Sequence, residues 1–224
     1  MEELAYIQRT VLPSLMQGMW VSILLILPSA VCGLCLGVAA GTLRVYGSPA
    51  AKILMRMYVM IFRGFPLIIQ LYIWYFGLAR IGLFLSPYTA SVIGFSLCSA
   101  AYHSEYVRGA LLSIRHGQTA AAMALGFTRF QTIVSIILPQ AMRRAMPGCG
   151  NEIVYLIKYS SLAYMVTCIE LTGKGKILAS ASFKYIEVFT VVGIIYLLLV
   201  SLASWLMNRL EARWAIPGFE RYKS

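Results

Sequence analysis

The chain has 224 residues, of which 60% are hydrophobic and only 12% charged, with a mean hydropathy of +0.77. A soluble domain carries roughly twice that charged fraction, so a water-soluble globular fold is excluded, and the apolar residues gather into runs of the roughly 20 residues that cross a bilayer. Nineteen Lys and Arg against eight acids, all of them Glu, give a net charge of +11. The basic residues fall between apolar runs rather than in one patch, which excludes a nucleic-acid partner and matches the loops of a multi-pass membrane protein.

The pattern predicts one all-α integral membrane domain, residues 1–224, with about five transmembrane helices. The start, Met1 to Gln17, is acidic and mixed and lacks a cleavage site of small residues, so the first apolar run is expected to stay as a span rather than act as a signal peptide. Span one covers about 19–42 and carries Gly33, Gly37 and Gly41 at a spacing of four, a stripe along which another helix can approach closely. Arg44, Lys52, Arg56 and Arg63 follow. Span two covers about 66–84, and a turn at Ser86-Pro87 leads to span three at about 88–112. A polar segment, 113–150, precedes span four at about 152–171. Span five covers about 188–207, before a charged tail at 208–224. The stretches 44–63, 113–150 and 208–224 hold four Lys or Arg each, against five on the other side. The positive-inside rule therefore predicts an outside N-terminus and a cytoplasmic C-terminus.

The 113–150 segment reads as two short helices. The first, about Gln118 to Leu125, is rich in alanine, the best helix former, and Gly126 is placed to end it in the left-handed conformation. Thr128 and Gln131 then have capping-box spacing, and the second helix is expected to stop near Leu138, because Pro139 disfavours a helical residue before it. A short small-residue helix beneath a membrane suits either a partner's groove or the headgroup surface.

Within the spans, Glu105 and Arg108 stand three apart and can pair. Ionisable groups at depth usually face a protein interior or an aqueous cavity, so the pair either lines the pathway or fixes span three. Glu105 is read as the only clearly embedded acid. Lys158 lies about 10 Å into span four at 1.5 Å per residue and either snorkels back or faces a cavity beside Ser160 and Ser161. Gln70 and Tyr102 either contact a polar solute or tie helices together. Cys32 and Cys35 have redox-motif spacing but sit in an apolar run, where they read as packing. His103 and His116 are not at metal-ligand spacing, and the phosphate-binding loop of an ATPase is absent.

Several blocks resemble the permease subunits of bacterial polar amino acid ATP-binding-cassette importers. Ala120-Ala121-Ala122-Met123-Ala124-Leu125-Gly126 is similar to their coupling-loop pattern, Glu-Ala-Ala, three residues, then Gly, with Ala120 replacing the Glu. Phe62-Arg63-Gly64-Phe65-Pro66-Leu67 looks like their Phe-Arg-Gly-Thr-Pro-Leu, with Gln70 at the family spacing. Ala101-Tyr102, Glu105, Arg108-Gly109-Ala110, then Ile137 to Ala141 and Asn151 to Leu162 match further blocks, and a helix break over 158–161 fits the family's pattern. The resemblance implies a pore subunit without catalytic residues, in the bacterial cytoplasmic (inner) membrane. It implies three protein partners: a separate ATPase subunit that binds ATP and Mg, a second permease subunit, and an extracytoplasmic substrate-binding protein that delivers a polar amino acid. It further implies ATPase coupling through Gln118, Ala120, Ala121, Ala122, Leu125 and Gly126, and a substrate pathway near Gln70, Tyr102, Glu105, Lys158, Ser160 and Ser161. An autonomous ion-coupled carrier of small solutes is the rival class.

Overall fold

The computed structural model describes residues 6–214; the first residues of the acidic start and the end of the charged tail, 215–224, lie outside them. The described residues form helices and no strand. Helix α1, Leu12–Tyr46, follows directly on a π-helical turn, Ile7–Val11. Helix α2, Pro49–Gly64, starts at Ser48, whose hydroxyl accepts the Ala51 amide. The chain breaks at Phe65-Pro66 and turns by 104° into α3, Leu67–Tyr72, which continues as a π-helical stretch, Ile73–Gly77. Helix α4, Pro87–Leu112, begins at Ser86, which caps the Thr89 amide. Helices α5, His116–Ala124, and α6, Arg129–Gln131, make the predicted short pair.

The second of that pair does not end before Pro139. A π-helical stretch, Thr132–Ile137, carries α6 straight into α7, Leu138–Tyr159, and Leu138 itself is helical at φ −62°, ψ −45°. Pro139 follows closely on the π-helical stretch, as the second residue of α7. Helix α7 gives way to a 3₁₀ segment, Ser160–Val166, at the expected break. Left-handed Thr167 precedes α8, Leu171–Ser182, and left-handed Phe183 separates it from α9, Tyr185–Trp214.

Two of these helices, with residues Ile7–Tyr46 and Tyr185–Trp214, are long and apolar enough to cross a membrane, and up to four spans result if each bent helix pair counts as one. The remaining expected span, span three at about 88–112, is α4, which has the length but carries serines, a histidine and Glu105 along it. It is the central helix, with α1, α2, α3 and α7 packed around it.

The glycine stripe of α1 makes the tightest of these contacts. A β-carbon added at Gly33 would lie 3.0 Å from Ser99 Cβ, one at Gly37 would collide with His103 Cβ, and one at Gly41 would lie 2.9 Å from the Ser104 carbonyl. Successive glycines meet successive turns of α4 in the same order, so α1 and α4 run parallel. With lipid as apolar as leucine, such close van der Waals fit rather than water exclusion drives the association. Three apolar clusters stack along the bundle. Val11, Leu15, Leu171 and Val188 hold one end, Leu25, Leu71, Phe95 and Leu156 the middle, and Val107, Leu111, Ile137 and Ala141 the other end. The outer face of α9 is bare and apolar, with Leu197, Leu198 and Leu202 more than half exposed, which suits lipid.

Candidate functional site

The end of the bundle where α1 and α4 finish carries α5. Ala122 is its buried side chain, 3% exposed; Gln118, Ala120 and Ala121 face outward. The helix ends in a Schellman motif: the Phe127 amide donates to the Ala122 carbonyl (3.1 Å) and the Gly126 amide to the Met123 carbonyl (3.0 Å). Gly126 takes φ +86°, which costs glycine little and an L-residue about 1–2 kcal/mol. Thr128 and Gln131 then form a reciprocal capping box. Between these two fixed turns Leu125 is 79% exposed, and Met123, Phe127 and Phe130 are exposed beside it. Gln118 is tied back to the bundle by Gln140, whose side-chain amide donates to its Oε1 at 3.5 Å. The result is a pre-shaped apolar projection on the basic end.

A second constellation centres on Glu105. Its Oε1 accepts from Arg44 (3.0 Å) and forms an ion pair with Arg63 (3.1 Å), and its Oε2 accepts from Arg108 Nε (3.1 Å). The pair within α4 is thus part of a four-residue cluster that joins the ends of α1 and α2 to α4. Arg44 also donates to Ser104 Oγ. Arg63 lies over the Tyr102 ring, 5.2 Å from its centroid. One carboxylate faces three guanidiniums, so the cluster keeps net positive charge, and the Arg63 and Arg108 side chains are 41% and 38% exposed.

The remaining candidates separate. Gln70 is 5% exposed, and its side-chain amide donates to the Phe62 and Phe65 carbonyls, both at 2.9 Å. It closes the C-terminus of α2 across the bend, as a helix tie does. Ser160 is buried and donates to the Ile157 carbonyl; Ser161 donates to the Lys158 carbonyl. Both hydroxyls serve the end of α7. Lys158 is exposed, lies 5.0 Å from the centroid of Tyr155, and borders an open groove of about 430 Å3 with Ser161, Tyr196 and Leu197. Tyr155 stacks in turn on Tyr159.

Glu105 is not the only embedded acid. Glu170 is 0% exposed and Glu152 2% exposed. Glu170 caps α8, accepting the Thr172 and Gly173 amides, and also accepts from Ser22 and from Tyr196. It joins α1, α8 and α9. Both acids sit at the margins of a span in the sequence, where they pass for interfacial groups. Only the packing of other helices over them reveals their burial. Among the described residues no group of three or more His, Cys, Asp or Glu is placed to hold a metal ion.

Residues 33–216 match the family described as binding-protein-dependent transport system inner membrane components. The chain is 35% identical to the glutamine transport system permease protein of Escherichia coli (strain K12), covering 92% of this chain and 94% of that one. It is 34% identical to the octopine transport system permease protein of Rhizobium radiobacter, over 91% and 89% of the two chains. Among solved structures, an amino acid ABC transporter crystallised with histidines superposes with a TM-score of 0.84 at 27% identity, over 94% of this chain and 97% of that one. The MetNI methionine ABC transporter shares the fold, with a TM-score of 0.79 at 23% identity over 93% and 99%.

Proposed function

This chain belongs to the binding-protein-dependent transport system inner membrane components, and from that premise we propose that it is the membrane-spanning subunit of an ATP-driven importer of polar amino acids. The observation that carries the coupling role is α5: a short helix, capped at Gly126 and anchored inward through Ala122, that presents Ala120, Ala121 and Leu125 to solvent beside Met123 and Phe130. A separate ATPase subunit, which binds ATP and Mg, docks on this projection, so that closure of the ATPase pushes α5 and tilts the helices behind it. The side bearing α5, with Arg44, Arg63, Arg115, Arg129 and Arg144 at its level, is the cytoplasmic one, in the inner membrane of a bacterium. A substrate-binding protein delivers the amino acid to the opposite side, and a second permease chain completes the pathway.

Along that pathway the substrate meets a face built from Tyr102, Glu105, Arg63 and Arg108. Guanidiniums left with charge to spare attract a carboxylate, and a tyrosine face accepts an ammonium. Lys158 stands at a separate groove on α7 and α9. Gln70, Ser160 and Ser161 act through the helix ends they hold. The relatives, named as permease proteins of transport systems, favour this reading over an autonomous ion-coupled carrier.

The test is uptake of the twenty amino acids into proteoliposomes that hold the chain with its co-purified ATPase and binding protein. The expected result is uptake of a few polar amino acids that stops without ATP. Ala121→Trp places a bulky group on the outward face without disturbing the buried one. It should lower uptake by on the order of ten-fold while ATP hydrolysis continues, as expected when a coupling energy of about 1–3 kcal/mol is lost. Uptake that ignores ATP and follows an ion gradient would overturn the reading.

A further inference from the structure

The basic end of the bundle contains a pocket of about 220 Å3, enclosed by the ends of α1 and α4 on one side and by α5 and the π-helical stretch after α6 on the other. Its floor is apolar: Leu111 and Ile137 are 2% and 1% exposed, and Ile133 is half-buried beside them. Its rim is polar, with Tyr46, His116 and Arg129. Arg129 carries no ion pair among the described residues, and its segment, 113–150, contains four arginines and no acid.

These features specify a ligand in two parts. The volume lies below the roughly 300–1,000 Å3 of a site that swallows a whole small molecule, so only a segment of the ligand enters. The floor asks that segment to be hydrocarbon, and the rim asks what stays outside to be anionic. The pocket also lies where α1, long and apolar enough to cross a membrane, ends beside α4, and basic groups where a span leaves the hydrocarbon attract acidic lipids.

We propose that this pocket holds one anionic phospholipid, its phosphate on Arg129 and the first part of one acyl chain against Leu111, Ile133 and Ile137. Free inorganic phosphate satisfies the rim and leaves the floor empty, so the lipid is the better match. Because α5 forms one wall and has Ala122 as its buried anchor, the occupant sets how far α5 stands from the ends of α1 and α4. An acidic lipid at this position therefore supports transmission from the ATPase to the spans. This inference rests on the membrane reading alone and not on the identity of the substrate.

The test uses the purified importer complex containing this chain, titrated with phosphatidylglycerol and read by native mass spectrometry. Uptake is measured in parallel in phosphatidylethanolamine vesicles with and without phosphatidylglycerol. Arg129→Gln, an exposed change that leaves the thermal unfolding temperature in detergent in place, should weaken retention of one phosphatidylglycerol per copy of the chain about five-fold, the loss expected for one basic contact at a membrane surface. Arg129→Lys should restore most of it, and Ile133→Trp, which fills the floor, should abolish it. The same substitutions should remove the stimulation of uptake by phosphatidylglycerol. Equal lipid retention by the wild-type chain and Arg129→Gln would overturn the proposal, and so would displacement of the lipid by millimolar inorganic phosphate, which would assign the rim to a free anion. Lipid retention is read without transport, so failure here is separable from failure of the importer reading.

Discussion

Glu170 shows how much a single buried carboxylate does when every oxygen is used. It caps the start of α8 and receives hydrogen bonds from Ser22 on α1 and Tyr196 on α9, so three helices converge on one side chain. Removing it leaves the Thr172 and Gly173 amides without an acceptor, at about 1–3 kcal/mol for each stranded group. Glu170→Ala is therefore expected to lower the unfolding temperature in detergent markedly, with Glu170→Gln falling between it and the wild type; a silent alanine variant would contradict the keystone role. Glu105 differs in kind. Its partners are part-exposed, so the network contributes modestly to stability, but its loss leaves three guanidiniums facing one another. Glu105→Gln should loosen the joint between α1, α2 and α4 by roughly 2 kcal/mol and shift the pattern of proteolysis near Gly64. Arg63→Lys keeps the charge but loses the planar guanidinium over Tyr102, and uptake by this variant should show a raised KM with little change in maximal rate.

At the scale of the element, the left-handed turn at Gly126 fixes where the α5 projection points. Gly126→Val must adopt φ +86° at a cost of about 1–2 kcal/mol or lose the turn. Its expected phenotype is weakened co-purification of the ATPase with unchanged insertion of the chain into membranes. Gly37→Leu acts on α1 instead: its side chain would collide with His103, and cysteine crosslinks between α1 and α4 that form in the wild type should fail. These local devices were legible in the sequence because each is written in nearby residues: the glycine stripe, the alanine-glycine helix and the box from Thr128 to Gln131; the break near Ser160 was expected from the family resemblance. Features that require knowing which helix lies beside which were not legible. The convergence of Arg44 and Arg63 on Glu105 spans 61 residues, and the burial of Glu152 follows from packing no periodicity records. The stop expected at Leu138 failed for a third reason, since a π-helical stretch lets the chain pass a proline that a regular helix disfavours.

The whole molecule is held by parallel contact between α1 and α4, around which two bent pairs and α9 are arranged. The bends divide what reads in the sequence as uniform spans. Residues 67–77 rise only about 16 Å at 1.5 Å per residue, and α2 leaves them at 104°, whereas α1 and α9 exceed the roughly 30 Å of a hydrocarbon core. One flank of the protein is consequently about a third as tall as the other in straight helix. Where lipid covers the short flank, a bilayer of uniform depth matches both only by thinning there, at a cost that rises with acyl-chain length. Transport is then expected to depend on membrane thickness. Uptake should decline steadily from vesicles of short-chain to those of long-chain phosphatidylcholine at constant headgroup, and a rate indifferent to chain length would show that a partner chain, not lipid, covers the short flank.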